Sequence, residues 1–278
     1  MRWFTRGFRL SECFQNRRAL HVDRVPAVLL GLTVLLVPAA SAAGEAELVE
    51  LGEKVYNRNC IICHGANGDG KGLMGVIHRA QQSGIVVAIY PRDFTAAMFK
   101  FRSTETGELP TNDDLLATVT DGIARSGMPS HKDLSLRQRR AVVEYIKTFS
   151  KRWEEEQAPQ PITISAIPDY VGTAESSERG KEVYEMMQCY QCHGTTGRGD
   201  GPSSHGLEDN WGDKILPFDF TSGPLKGGST PEKIYRTFVT GLDGTPMPSF
   251  ADSLSEPQRW NLVSYCLDLM KPAVVSGR

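Results

Sequence analysis

Residues 60–64 read Cys-Ile-Ile-Cys-His, and residues 189–193 repeat the pattern as Cys-Tyr-Gln-Cys-His. The two thiols of each motif are about one helical turn apart, so both can reach the same bound group. The histidine that follows places an imidazole beside them. One copy is plausible by chance in a chain with six cysteines. Two copies, each followed by a glycine-rich loop, indicate a repeated site.

This spacing is the attachment pattern of c-type haem. Each thiol can add to one vinyl group of the porphyrin, and the imidazole becomes the proximal ligand of the iron. The sequence therefore predicts two covalently bound haem c groups, whose chemistry is that of the cofactor. The predicted attachment residues are Cys60, Cys63, Cys189 and Cys192, and the predicted iron ligands are His64 and His193.

The regions around the two motifs are also repeated, which indicates a duplicated domain of about 100 residues. The matching segments, in chain order, are 52–56 with 180–184, 91–95 with 217–221, and 128–130 with 247–249. We predict four parts: a signal peptide or N-terminal membrane anchor (1–43), a first domain (44–152), a linker (153–176) and a second domain (177–278).

Each repeat is predicted to be mainly α-helical, with a few helices around its haem. Apolar residues recur at helical spacing before each haem motif, in the middle of each repeat and near its end. Ser135 and Ser255 are the predicted N-caps of the last helices, and Ser176 or Ser177 that of the second repeat's first helix. The run Gly84–Tyr90 is β-like, and we predict a loop or short strand beside the haem.

These features resemble the class I c-type cytochrome domains, twice over, across residues 45–272. The resemblance implies an N-terminal helix that carries the haem cysteines and a C-terminal helix that crosses it. It also implies that a methionine in a loop between the later helices is the distal iron ligand. Here those residues are Met128 and Met247, each followed by proline. Methionine–histidine ligation raises the reduction potential relative to two histidines.

Other side chains remain alternatives for the distal position. His78, His131 and His205 could form a bis-histidine site.

The glycine-rich loops after the haem motifs suit close approach to a porphyrin. They lack the Gly-Lys-Ser/Thr ending of a phosphate loop and the acidic ligands of a calcium loop.

Haem propionates need polar partners where they are partly buried. We expect Arg92 as the first such partner and Arg102 as the second, and Trp211 is a candidate for the second propionate or for packing on the haem edge. A solvated surface cation is the alternative for each arginine. Phe218 stands where the first repeat has Arg92, so the two pockets should differ in potential.

The N-terminus combines six arginines, an apolar run and small residues ending at Ala43. This pattern predicts a secretory signal cleaved after Ala42 or Ala43. An uncleaved anchor over residues 25–43 is the alternative, because the apolar stretch approaches the length of a span. Either way, we expect the domains in the periplasm or on the outer face of the cytoplasmic membrane.

Charge and cysteine usage limit the possible partners. Without residues 1–43 the chain has a net formal charge of −6, with no basic patch for nucleic acid. An acidic surface suits transient docking to a basic redox partner. Cys266 lies in a helical pattern and is predicted to be a buried thiol.

The sequence thus favours an electron carrier rather than an enzyme. Such a protein would pass single electrons between respiratory redox partners, whose identity the sequence does not give. One alternative is a membrane-anchored cytochrome subunit of an oxidoreductase complex. A dihaem cytochrome c peroxidase is another, and it would need one haem with an open coordination position.

Overall fold

The computed structural model of the 278-residue chain describes residues 39–80 and 86–271. The predicted signal peptide or anchor lies almost wholly outside the described residues. Within them, no helix is both long enough and apolar enough to cross a membrane.

The described part is mainly helical, as predicted, with the same helix order in each repeat. The first repeat contains α1 (Ala39–Asn59), α2 (Ile61–His64), α3 (Asn112–Asp121) and α4 (Leu136–Lys147). The second contains α6 (Ala174–Met186), α7 (Tyr190–His193), α8 (Pro231–Thr240) and α9 (Glu256–Leu269). A short helix, α5 (Arg152–Glu155), follows the first repeat, and 3-10 turns lie at Ala124–Ser126 and Phe220–Ser222.

The first and last helices of each repeat meet at a glycine. A Cβ atom on Gly52 in α1 would lie 2.1 Å from the carbonyl oxygen of Ala141 in α4. A Cβ atom on Gly180 in α6 would lie 2.0 Å from the carbonyl oxygen of Asn261 in α9. Real side chains do not approach backbone oxygens this closely, so both crossings require glycine.

The variant Gly180→Ala should therefore destabilise the protein. A methyl group gains some helix propensity but forces α6 away from α9, and such overpacking costs about 1–3 kcal/mol or more. Gly44→Ala is the matched control, because a Cβ atom there meets nothing within 4 Å. Denaturant unfolding of the haem-loaded protein measures both variants. A Gly180→Ala protein as stable as Gly44→Ala would contradict this account of the crossing.

Side-chain caps mark the starts of these helices, and the structure corrects one predicted cap. Ser135 and Ser255 form capping boxes with Gln138 and Gln258, as their spacing predicts. The predicted cap of α6, Ser176 or Ser177, is wrong. Thr173 is the cap, because its hydroxyl accepts a hydrogen bond from the Ser176 amide. The hydroxyl oxygen of Ser176 instead lies 2.9 Å from the Asn261 amide oxygen and 2.7 Å from the Ser264 hydroxyl oxygen in α9, so it is buried inside the helix crossing.

Each repeat has its own apolar core. In the first, Val55 and Tyr56 from α1 pack with Val142 and Val143 from α4. In the second, Trp260 and its neighbours on α9 pack against Tyr184 and Tyr235. Cys266 belongs to the second core and is buried, as predicted, and burial raises the pKa of its thiol.

The β-like run forms a short strand, one of the two predicted outcomes. Strand β2 (Val86–Ile89) pairs antiparallel with β1 (Ile77–Ala80). Within the described part of the chain, no matching pair of strands occurs in the second repeat. The Ile77 side chain lies against Gly127, next to Met128. The pair of strands therefore supports the loop that carries the predicted distal methionine.

The segment between the repeats contacts both of them. The amide of Ile162 donates to the carbonyl of Ser103 at 2.7 Å in the first repeat. Further on, the hydroxyl of Ser165 donates to Glu256 at 2.6 Å and accepts from the indole of Trp260 at 3.2 Å in the second. This segment therefore lies along the two repeats.

Candidate haem sites

The four motif cysteines lie where each first helix gives way to a single helical turn. They are not joined by disulfides, and all four thiol residues are half-buried. Burial raises the pKa of the Cys60 and Cys189 thiols to about 11.

In both motif histidines, one ring nitrogen lies close to a backbone carbonyl oxygen. Nδ1 of His64 lies 3.1 Å from the carbonyl oxygen of Arg92, and Nδ1 of His193 lies 3.5 Å from that of Phe218. A hydrogen on Nδ1 leaves Nε2 as the free lone pair, which is the form that binds a metal. Burial lowers the pKa of both imidazoles, which favours this neutral form. The ring of His64 also stacks on Phe94, at 4.5 Å between centroids.

A tyrosine and a glycine fix the turn after each motif. The hydroxyl of Tyr56 donates to the carbonyl of Gly65 at 2.7 Å, and Tyr184 donates to Gly194 at 2.6 Å. Both glycines have positive φ, at 78° and 76°, which glycine adopts without strain. Sequence reasoning gave these tyrosines no role, although the repeated Val-Tyr pair was the signal that could have found them.

The Met-Pro loops are built alike and reach the same cores as the cysteines. The amide of Ile123 donates to the carbonyl of Met128 at 2.9 Å, and Leu242 donates to Met247 at 3.0 Å. Both methionines are half-buried. Met128 packs on the cluster that also contacts Cys60, and Met247 on the cluster that contacts Cys189.

The alternative histidines are placed less favourably for iron ligation than the two loop methionines. His78 and His205 are exposed, while His131 is half-buried in the connection from α3 to α4. Across the described ranges, no group of three or more His, Cys, Asp or Glu side chains is arranged to hold a metal ion.

The residues present fit an iron porphyrin. Each site offers two thiols and an imidazole from its motif, and one of these thiols packs on the same cluster as the methionine thioether. In the first repeat, Leu73 is 98% exposed and Met74 is 68% exposed, so apolar surface lies uncovered beside the attachment helix. The indole nitrogen of Trp153 is buried without an acceptor among the described residues, on the same cluster as Cys60 and Met128. A porphyrin supplies both apolar surface and carboxylate acceptors.

Both repeats match known protein families. Residues 177–269 match the family model for cytochrome c, and residues 47–146 match that for cytochrome C oxidase, cbb3-type, subunit III. No curated protein matched. A chain of the Kuenenia stuttgartiensis reducing HAO-like protein complex Kustc0457/Kustc0458 is 40% identical, with a TM-score of 0.72. The match covers 80% of this chain and 96% of that one. The chain belongs to the dihaem c-type cytochromes.

Two of the predicted propionate partners in this cytochrome meet where the domains pack together. The guanidinium of Arg92 lies 4.6 Å from the ring centroid of Trp211 in the second domain. The Trp211 indole donates to Asp93 at 3.3 Å, back in the first domain. Burial lowers the pKa of Lys100 to about 8, and the charge of Arg92 adds to this effect.

Arg102 does not fit its predicted role, because its donors are already used. Its guanidinium donates to the carbonyls of Phe99 and Glu105 in its own domain. It then reaches the second domain, where it donates to the Thr240 carbonyl at 2.8 Å and pairs with Asp243 at 2.9 Å. The Arg102 side chain is 0% exposed, so we do not retain it as a propionate partner.

Proposed function

We propose that this cytochrome carries single electrons between redox partner proteins through two covalently bound haem c groups, each ligated by histidine and methionine. The observation that supports this proposal is the repeated pairing of a tautomer-fixed histidine with a methionine loop on the same core. Haem supplies one-electron chemistry when its iron is held in this way. Because a histidine and a methionine of the chain would both be used to hold the iron, a carrier role is favoured over substrate chemistry.

The protein's contribution is to hold these ligands still. The hydrogen bonds from His64 to the Arg92 carbonyl and from His193 to the Phe218 carbonyl orient the imidazoles. The bond across each Met loop presents the thioether from a closed turn. Ligands fixed in this way move little between oxidation states, which keeps the reorganisation that accompanies electron transfer small.

Arg92, Lys100 and Trp153 are our proposed propionate partners for the first haem. Arg92 and Lys100 are half-buried cations; burial lowers the pKa of Lys100, and the charge of Arg92 lowers it further. A carboxylate between them would relieve this repulsion. The Trp153 indole is a donor that needs an acceptor. In the second domain Phe218 replaces Arg92, so the surroundings of the two haems differ in charge.

We propose that the domains work in the periplasm or on the outer face of the cytoplasmic membrane, in a respiratory chain. The basic, apolar and small-residue order of the leader supports this location. The similar solved chain is part of a protein complex, which supports a role as a subunit that serves a larger oxidoreductase. Co-purification from the native source tests this: a stable oxidoreductase partner supports the subunit role, and a free cytochrome supports the mobile carrier.

Peroxide addition separates the carrier from a peroxidase. Because both domains present a Met-Pro loop at the same place, we expect no rapid peroxide turnover in any mixture of oxidation states. Stopped-flow spectra of the fully oxidised and half-reduced protein should show slow bleaching only. The variant Met128→Ala is the positive control, since removing the thioether opens a coordination position. Rapid turnover by the unmodified protein would contradict the carrier proposal.

A further inference from the structure

The loop that carries Met247 is held from the other domain. Asp243, four residues before Met247, pairs with the fully buried Arg102 of the first domain at 2.9 Å. The same carboxylate accepts from the hydroxyl of Thr106 at 3.0 Å and from the amide of Gly107 at 2.9 Å. Three donors from the first domain therefore converge on one side chain of the second domain's ligand loop.

Contacts within the first domain hold the Arg102 guanidinium in place. Its Nε and Nη1 atoms donate to the carbonyls of Glu105 and Phe99, at 3.1 and 3.4 Å. Only Nη2 extends to Thr240, where α8 ends, and to Asp243 in the loop that follows. A guanidinium held in this way gives the loop one defined position, since the charged partner cannot follow a moving carboxylate.

Different residues attach the loop that carries Met128. Here a side chain of the first domain's own loop reaches into the second domain. Arg125, three residues before Met128, donates to both the carbonyl and the hydroxyl of Ser222 in the second domain, each at 2.8 Å. Its guanidinium also lies 4.9 Å from the ring centroid of Phe218. Ala124 stands where the second loop has Asp243, so the two attachments did not arise from the repeat itself.

We propose that each domain positions the other domain's distal methionine, Arg102 through Asp243 for Met247, and Arg125 through Ser222 for Met128. The proposal rests on the methionine ligation proposed above. Arg102, Asp243 and Arg125 are positioning residues, because none of them is an iron ligand. Packing of the domains then controls how readily each thioether leaves its iron, and a change at one attachment is felt mainly at the haem whose methionine loop it holds.

Imidazole binding to the ferric protein tests this, because imidazole replaces methionine only when the ligand loop opens. Its apparent affinity is set by the fraction of open loop. We expect Asp243→Asn to raise imidazole affinity about tenfold at the second haem and less than about threefold at the first. Arg125→Gln should act mainly at the first haem. NMR signals of the iron-bound methionine methyl groups distinguish the haems, with Met247→His used to assign them.

Two further variants supply a control and a milder change at the same contact. Asp268→Asn breaks an exposed ion pair with Lys271 in the same domain and should leave both affinities unchanged. Thr106→Val removes one exposed donor to Asp243 and should raise the affinity of the second haem about threefold, even if Asp243→Asn fails to fold. Unchanged affinity in Thr106→Val and Asp243→Asn, or an equal rise at both haems, would overturn the proposal. Absence of the methionine signals from the unmodified protein would instead overturn the ligation itself.

Discussion

Replacing Met247 with histidine should lower the reduction potential of the second haem by roughly 0.1–0.3 V, within the about 0.8 V that axial ligands span. A thioether is a soft, weak donor that favours ferrous iron, whereas imidazole is a stronger donor that favours ferric iron. The Met247 carbonyl is held by the Leu242 amide, so the loop should present the new ring in the same direction. The potential of the first haem should stay nearly unchanged.

Optical redox titration of the haem-loaded protein measures both potentials in one experiment. Met186→His is the matched control, because Met186 lies on α6 in the same domain and is 56% exposed. We expect the control titration to overlay that of the unmodified protein. If Met247→His gives the same curve as Met186→His, the ligand assignment is wrong.

The double variant Cys189→Ala, Cys192→Ala should halve the covalent haem content. Without both thiols, no thioether bond can form in the second domain. Cys189 also packs on the core cluster that Met247 contacts, so loss of the porphyrin removes part of the interior of a small domain. We therefore expect the second domain to lose most of its helical signal, while the first retains its haem.

Haem content after denaturation, per polypeptide, is the quantity to measure. Cys266→Ala is the control, since this buried thiol lies outside both motifs and belongs to the same core. It should keep the full haem content and lose only the modest stability of one buried side chain. Full haem content in the double variant would refute the attachment site.

The helices, the caps at Ser135 and Ser255 and the haem motifs are predictable because their signals are local. The capping boxes at Ser135 and Ser255 need only a partner three residues away, and the four thiols lie in two five-residue motifs. The duplication strengthens these predictions, since each feature in one repeat has a partner in the other. Mainly helical cytochrome domains follow from these patterns with little need of tertiary contacts.

The contacts that sequence reasoning missed are those between distant residues. The sequence predicts Arg102 as a propionate partner, yet the Thr240 carbonyl that its guanidinium contacts is 138 residues away. Ser176 was assigned as a cap because nothing local showed that α9 would bury its hydroxyl. Trp153 was assigned to the linker, and only its packing shows a buried indole that needs an acceptor.

The intact mass of the purified native protein tests the central claim most directly. We predict a coloured protein whose mass exceeds that of its polypeptide by two haem groups that survive denaturation. A colourless protein, or a mass equal to the polypeptide alone, would contradict this account of both sites.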